Sequence, residues 1–325
     1  MHIMINTDGT TLRVRNRCFQ VSDKERTRLI SPHRVSSISI GARTTISAAA
    51  VALAVQYQVP VFFLHQTGKT TAQVWSVEMT NHTAIRRCQA GLDGTPLAAQ
   101  LVSAWLMQKW DRQMEHLDNL AAIRPEAGAA IKLGMTAIAE TKQKAMQLLQ
   151  GPAAEWRQPI MGLEGLAARH YFLAINTCMP DAFKFQGRSR MPALDAFNAA
   201  LNYCYGILYG QVEHAILAAG LDPYFGVLHT DQYGSKGLVY DMIEPFRPYA
   251  DVFVVSRFMQ HAFKEAHFEE KQGGVHISKS GKKSLIPDWF DFLEKKVPHG
   301  TGKMRRNQTI YAEAISTSAA IFRSL

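Results

Sequence analysis

Four side chains that can bind a metal ion or carry a proton lie in otherwise apolar segments of the second half of the chain: Glu164, His229, Asp241 and Glu244. A charged carboxylate is costly to bury unless it pairs with a cation or binds a metal ion. Asp241 and Glu244 are three residues apart, which places both on one face of a helical turn. Carboxylates with one imidazole suit Mg²⁺ or Mn²⁺, and the set contains none of the thiolates that favour structural zinc.

A divalent ion held by these side chains could polarise a phosphoryl oxygen and activate an attacking hydroxyl or water. Each side chain also has an ordinary structural explanation. Glu164 could pair with Arg157, and Arg247 could neutralise Glu244. A lone histidine such as His229 is more often a core or capping residue than a ligand. By spacing alone, the catalytic and the structural interpretations both stay open.

Motifs of the common nucleotide-binding and hydrolytic enzymes are absent from the sequence. It has no phosphate loop, no Gly-x-Ser-x-Gly elbow, no His-Glu-x-x-His and no Gly-x-Gly-x-x-Gly. Its cysteines, Cys18, Cys88, Cys178 and Cys204, form no Cys-x-x-Cys pair, which argues against a zinc ribbon or a thioredoxin-like centre. They are typical of buried thiols in a reducing compartment.

Residues 1–85 alternate in short runs that predict a small β-rich domain. Thr11–Phe19 alternates with a period of two and predicts one half-buried strand. Ser47 is predicted to cap a helix over residues 48–56, and the buried strand Val61–Leu64 follows.

The apolar period changes to that of helices from about Thr95 onward. We therefore expect residues 86–96 to be a linker and residues 97–325 to form a larger, all-helical domain. The predicted fold class is α+β, with a small N-terminal β-rich domain followed by this helical domain.

The chain carries 36 Lys and Arg against 27 Asp and Glu, a net charge of +9, which favours a polyanionic partner such as nucleic acid without requiring one. Residues 271–306 hold nine basic residues against three acidic ones. That segment is either a solvated surface or a flexible basic tail that contacts phosphates. The N-terminus lacks the apolar core of a signal peptide and no stretch is typical of a membrane span, so a cytoplasmic protein without membrane contact is expected.

Four blocks of the sequence resemble, in the same order, the CRISPR-associated spacer-acquisition endonucleases, the integrase subunit of bacterial adaptive immunity. The blocks are residues 162–172 (GLEGLAARHYF), 195–205 (DAFNAALNYCY), 219–229 (AGLDPYFGVLH) and 238–248 (LVYDMIEPFRP). The resemblance implies an N-terminal β-domain that pairs two chains into a homodimer. It also implies a helical C-terminal domain that binds Mg²⁺ or Mn²⁺.

Site residues follow from the same resemblance. It implies that Glu164, His229 and Asp241 are catalytic and bind the metal ion, with Glu244 as an accessory ligand. Candidate contacts to DNA are basic residues in or near these blocks: Arg188, Arg190, Lys236 and Arg247.

The implied activity is that of a metal-dependent DNA endonuclease and integrase, which inserts foreign DNA fragments as new spacers into a CRISPR array. A 3′-hydroxyl of double-stranded DNA would attack a phosphodiester of the CRISPR repeat DNA, with a small CRISPR-associated adaptation protein as partner. Two other classes stay open on the residues alone. A non-catalytic DNA-binding scaffold would bind DNA without a metal ion, and a metal-dependent phosphohydrolase of small nucleotides would turn over mononucleotides without DNA.

Overall fold

The computed structural model describes most of the chain in eight stretches: residues 2–5, 7–23, 25–35, 37–41, 43–64, 70–74, 82–229 and 234–324. The chain is a mixed α+β protein, as the sequence predicts. It divides into two compact units, Met1–His82 and Thr83–Leu325.

In its described residues, the N-terminal unit contains two four-stranded sheets and one α-helix. Its elements are β1 (His2–Ile5), β2 (Thr11–Arg15), β3 (Cys18–Ser22), β4 (Thr27–Ile30), β5 (Ser37–Ile40), β6 (Thr45–Ile46), α1 (Ala48–Gln56), β7 (Val61–Leu64) and β8 (Thr70–Val74). One sheet has the order β1-β5-β7-β8, with its first three strands parallel. The other has the order β4-β3-β2-β6, and both sheets bury aliphatic side chains in one core.

Local signals in this unit predict two elements correctly and another wrongly. Ser47 caps α1, since its hydroxyl accepts a hydrogen bond from the Ala50 amide at 3.2 Å, and β7 follows as predicted. The single strand predicted over Thr11–Phe19 is wrong, because the chain reverses there. Asn16 and Arg17 both have positive φ, 51° and 56°, so they form the two-residue turn of a β2–β3 hairpin.

The C-terminal unit is mainly helical. Its elements are α2 (His82–Ala90), α3 (Pro96–Ile123), α4 (Gly128–Leu148), α5 (Ala153–Cys178), α6 (Ala196–Ala218), α7 (Gly237–Met242), α8 (Arg247–Met259), β9 (Phe268–Lys271), β10 (Gly274–Ile277), α9 (Lys279–Glu294), β11 (Lys296–His299), β12 (Gly302–Arg305) and α10 (Arg306–Phe322). Large aromatic side chains, among them Trp105, Trp110, Trp156 and Tyr171, fill its core and fix how α3 and α5 face each other.

Two sequence expectations about this unit need correction. Residues 86–96 are not a free linker, because Leu92 is buried in the helical core and Gln89 exchanges hydrogen bonds of 2.7 and 2.8 Å with the backbone of Asp222. Residues 271–306 are folded rather than flexible. They form α9 and two hairpins with their flanking residues, so the unit is not all-helical. Among the described helices, none combines the length and apolar character needed to cross a membrane.

The β2–β3 turn yields a prediction. Arg17→Gly should stabilise the protein by about 0.5–1 kcal/mol, because relief of left-handed strain exceeds the entropy that glycine adds to the unfolded chain. Arg13→Gly is the matched control, since it removes the same charge from the middle of β2 and should destabilise by about 0.5–1 kcal/mol. Thermal unfolding followed by circular dichroism separates the two. Equal destabilisation by both would contradict the turn.

Candidate active site

Helix α3 places a charged side chain within the stripe that faces the core, and helix α5 places one at the edge of its buried face. On α5, Glu164 lies three residues before the fully buried Ala167. On α3, Lys109 lies between the buried Trp105 and Gln113, one turn from each. The Lys109 side chain is only 3% exposed, and its ammonium donates a hydrogen bond to a carboxylate oxygen of Glu164.

A second carboxylate reaches the same ammonium. Glu244 begins the 3-10 turn between α7 and α8 and is buried, and its Oε2 accepts a hydrogen bond from Lys109 Nζ at 2.6 Å. Its Oε1 accepts from Arg247 Nε at 2.7 Å. Arg247 in turn donates to the Tyr209 hydroxyl at 2.7 Å. Glu164, Lys109, Glu244 and Arg247 thus form a row of alternating charge.

The Asp241 carboxylate fixes the segment that ends at His229. Its Oδ2 accepts backbone N–H bonds from Val227 and Leu228 at 2.5 and 3.0 Å. Its Oδ1 accepts the backbone N–H of His229 at 3.0 Å and bonds Nδ1 of the ring at 2.7 Å. Because a carboxylate can only accept, the ring proton lies on Nδ1, and Nε2 carries a lone pair for a metal ion or a proton.

Two glycines let this segment close on itself. A Cβ on Gly226 would lie 2.0 Å from the His229 carbonyl oxygen, and one on Gly237 would lie 2.2 Å from the same atom. Their backbones also approach each other directly, since that Cβ of Gly226 would be 2.8 Å from the Gly237 Cα. Only glycine fits at either position, so this close approach is part of what positions His229.

Burial and charge act against each other in this cluster. Burial disfavours the charged form of Lys109, but Glu164 and Glu244 outweigh it and raise the pKa of the ammonium. Burial likewise opposes ionisation of Glu244, yet Arg247 and Lys109 lower its pKa to about 2. Burial acts to lower the pKa of His229, but the hydrogen bond and the charge of Asp241 raise it.

The donor set can hold a cation, as the Lys109 ammonium shows. Two carboxylates, Glu164 and Glu244, converge on that one positive nitrogen. In the part of the chain that the structure describes, however, no group of three or more His, Cys, Asp or Glu side chains forms a ready-made metal site. The two predicted pairs are separate: Glu164 with Glu244 around Lys109, and His229 with Asp241. The pairs are neighbours, because the His229 ring packs edge-on against Tyr240 and Tyr240 packs against Tyr209. The Tyr209 hydroxyl in turn accepts from Arg247, which also donates to Glu244.

Of the predicted DNA contacts, two arginines have structural partners. Arg188 donates to the side chains of Asn198 and Asn202 and lies over the rings of Phe172 and Tyr205, so it anchors its own loop. Arg247 is committed to the site itself, with its side chain 12% exposed. Both arginines are therefore engaged by groups of the protein, and their role as DNA contacts stays a prediction.

Arg190 and Lys236 are placed differently. Arg190 is exposed, and its carbonyl accepts a hydrogen bond from Asn202 Nδ2 at 2.8 Å, so the loop holds it at the surface. Lys236 is partly buried and pairs with Glu213. The segment 271–306 also presents exposed lysines: Lys271, Lys279, Lys282, Lys283, Lys295, Lys296 and Lys303.

Sequence reasoning missed two groups beside the site. Lys109 carried a signal, since it interrupts the apolar stripe of α3 one turn after Trp105. The other group centres on Asp251, which is fully buried and accepts a hydrogen bond from the Tyr205 hydroxyl at 2.6 Å. Burial raises the pKa of Asp251 to about 6. Next to it in the fold, the Tyr171 hydroxyl bonds His116 Nδ1 at 2.7 Å.

Comparison with protein families identifies the family of this chain. The model of the family "CRISPR associated protein Cas1" matches residues 3–291. The chain belongs to the Cas1 family. An Archaeoglobus fulgidus relative named CRISPR-associated endonuclease Cas1 1 is 28% identical over 311 residues, 92% of this chain and 90% of the relative. A Thermus thermophilus relative of the same name is 29% identical over 324 residues, 99% of this chain and 96% of that protein.

Solved structures share this Cas1-family fold. The chain matches a partial Cas6-RT-Cas1–Cas2 complex with a TM-score of 0.79 and 20% identity, covering 100% of this chain and 96% of the other. A casposase bound to an integration product matches with a TM-score of 0.73 and 21% identity over the same shares. At this identity, the similarity establishes the fold.

The glycine pair gives a prediction for the site. Gly226→Ala should destabilise the protein by roughly 1–3 kcal/mol and shift the His229 ring, because the new methyl group collides with the His229 carbonyl. Gly206→Ala on α6 is the control: its Cβ meets no atom within 4 Å, so it should be neutral or stabilising by up to about 1 kcal/mol. Denaturant unfolding and the NMR shifts of His229 test this. An unmoved ring in Gly226→Ala would count against the close approach.

Proposed function

We propose that this chain is a divalent-metal-dependent DNA endonuclease and integrase that inserts DNA fragments as spacers into a CRISPR array. The observation that carries the proposal is the convergence of Glu164 and Glu244 on one cation beside a histidine that Asp241 fixes, in a chain of the Cas1 family. In strand transfer, the 3′-oxygen of the incoming DNA forms a bond to phosphorus, and the bond from phosphorus to the 3′-oxygen of the target strand breaks.

We assign the ligand roles from the contacts of each side chain. Glu164 and Glu244 provide carboxylate oxygens, and His229 provides Nε2. Asp241 differs from the expectation drawn from resemblance, because each of its oxygens already accepts two hydrogen bonds and it is only 1% exposed. Its role in the proposal is to hold His229 in one orientation and one tautomer. A bound Mg²⁺ or Mn²⁺ would supply the positive charge that polarises the phosphate and activates the attacking hydroxyl.

The protein's own charges support the same chemistry. Arg247 is fixed by Glu244 and Tyr209 and lies over the Tyr205 and Tyr209 rings, so it is a preorganised positive charge that needs no rearrangement. Half-exposed Glu164 and His229, at 29% and 33%, leave one side of the site open to a substrate.

DNA would be held mainly through its phosphates. The candidates for these phosphate contacts are Arg190 and the exposed lysines of residues 271–306. A contact to a phosphate does not depend on the base sequence of the duplex. We further propose a homodimer formed through the N-terminal unit and a small adaptation protein as partner. The similarity of the chain to a solved Cas1–Cas2 complex supports the second of these proposals.

The direct test is strand transfer into supercoiled plasmid by a labelled duplex with free 3′-hydroxyls, with Mn²⁺ or Mg²⁺ present and the small partner protein added. Glu164→Gln should reduce joining about 100-fold or more while the protein stays folded, because it removes a ligand charge from a half-exposed position. Glu140→Gln makes the same change at an exposed site on α4 and should join normally.

Other outcomes of this test identify the rival functions. Metal-independent DNA binding with no joining in any condition would support the non-catalytic scaffold. Hydrolysis of mononucleotides without DNA would support the phosphohydrolase. Normal joining by Glu164→Gln would show that the reaction centre lies elsewhere.

Salt dependence tests the proposed DNA surface. Each phosphate contact that is lost should reduce the magnitude of the slope of log K for DNA binding against log salt concentration by about 0.9. Lys282→Gln combined with Lys283→Gln should therefore lower the slope by up to about 2, whereas Lys132→Gln with Lys144→Gln on α4 is the charge-matched control. Equal slopes for the two double variants would exclude the lysines of α9 from the DNA contact.

A further inference from the structure

Lys109 is a buried cation that has no part in the ligand set proposed above. Its side chain is 3% exposed and lies among the tryptophans of α3, where a lysine is stable only if its charge is paired. Its pairing partners are Glu164 and Glu244, the two carboxylates assigned to the metal ion.

A divalent ion and the ammonium therefore compete for the same two carboxylates. Oε1 of Glu164 and Oε2 of Glu244 both bond Lys109 Nζ, and Oε1 of Glu244 is taken by Arg247. A metal ion that binds both glutamates must displace Nζ from at least one of them or lie against a like charge at close range.

The charge balance of the site leads to the same conclusion. Glu164, Glu244 and Asp241 contribute three negative charges, and Lys109 and Arg247 contribute two positive ones. With His229 neutral, the net charge is −1, a weak attraction for a divalent ion. Without the Lys109 charge it would be −2.

We propose that Lys109 is a built-in counter-cation, which keeps Glu164 and Glu244 together in the metal-free protein and competes with the divalent ion for them. This inference rests on the proposed function, since it takes those glutamates as ligands. Lys109 is in this sense a positioning residue. Its charge offsets the repulsion between the two carboxylates in the metal-free protein, and its competition lowers the affinity of the site for the metal ion.

Metal binding without DNA tests this directly. The full chain is titrated with Mn²⁺, and the free ion is followed by electron paramagnetic resonance. Lys109→Met keeps the length of the side chain and removes its charge, and Lys109→Gln keeps a neutral donor. Both should bind Mn²⁺ about tenfold tighter or more than the wild type, because a like charge has left the site.

Lys142→Met is the matched control. Lys142 forms an ion pair with the exposed Asp111 on the surface of the same unit, so its loss should leave the Mn²⁺ affinity unchanged. Thermal unfolding gives a second readout. The neutral Lys109 variants should melt below the wild type without metal, and Mn²⁺ should raise their melting temperature more than that of the wild type.

The results separate this inference from the proposed function. Equal or weaker Mn²⁺ binding by both neutral variants, with wild-type binding intact, would overturn competition by Lys109 and leave the metal site in place. A variant that folds only with Mn²⁺ would support it. Absence of Mn²⁺ binding by the wild type and by both variants would overturn the proposed metal site and the inference together.

Discussion

Two carboxylates, Glu164 and Glu244, can lie close together inside the helical unit only because a cation lies between them. Three elements of the helical unit bring these charges together. The tryptophan-rich stripe of α3 brings Lys109 to the pair, α5 carries Glu164 at the edge of its buried face, and the short turn before α8 carries Glu244. Since an isolated buried charge is costly, each of these charges depends on the partner that a neighbouring element supplies. In the proposed metal site, the arrangement that pairs these charges in the fold is also the one that would exchange an ammonium for a metal ion.

A second constraint holds the histidine. Three successive backbone amides and the ring of His229 all bond to Asp241. The close approach of the Gly226 and Gly237 backbones further restricts the conformation of residues 226–229. The site thus combines an ionic part, which can adjust to different cations, with a rigid part, which cannot. In a metal-dependent phosphoryl-transfer enzyme this division is useful, because the imidazole is preoriented while the carboxylates adapt their positions.

The sequence predicts those structural features that depend on local capping signals, on apolar periodicity or on recognisable motif blocks. The helix after Ser47 and the strand over β7 follow from capping and apolar runs, and the motif blocks locate Glu164, His229, Asp241 and Glu244. Lys109 is overlooked although it interrupts the apolar stripe of α3, because a lysine on an amphipathic helix is expected to face solvent. Glycines in residues 271–306 suggest flexibility, yet a Cβ on Gly281 would lie 2.4 Å from the His267 carbonyl oxygen, so this glycine permits tight packing. Whether a particular charged side chain is buried, and which partner it takes, depends on tertiary contacts that local sequence periodicity does not predict.

Glu164, Glu244 and His229 are the proposed ligands of the divalent ion, and Asp241 is the residue proposed to hold His229. The decisive measurement is anomalous diffraction from crystals of the full chain soaked in Mn²⁺. We expect an anomalous peak within coordination distance of one carboxylate oxygen each of Glu164 and Glu244 and of Nε2 of His229. Asp241 should still accept hydrogen bonds from the amides of residues 227–229. Density coordinated by Asp241, or located away from the two glutamates, would contradict this assignment.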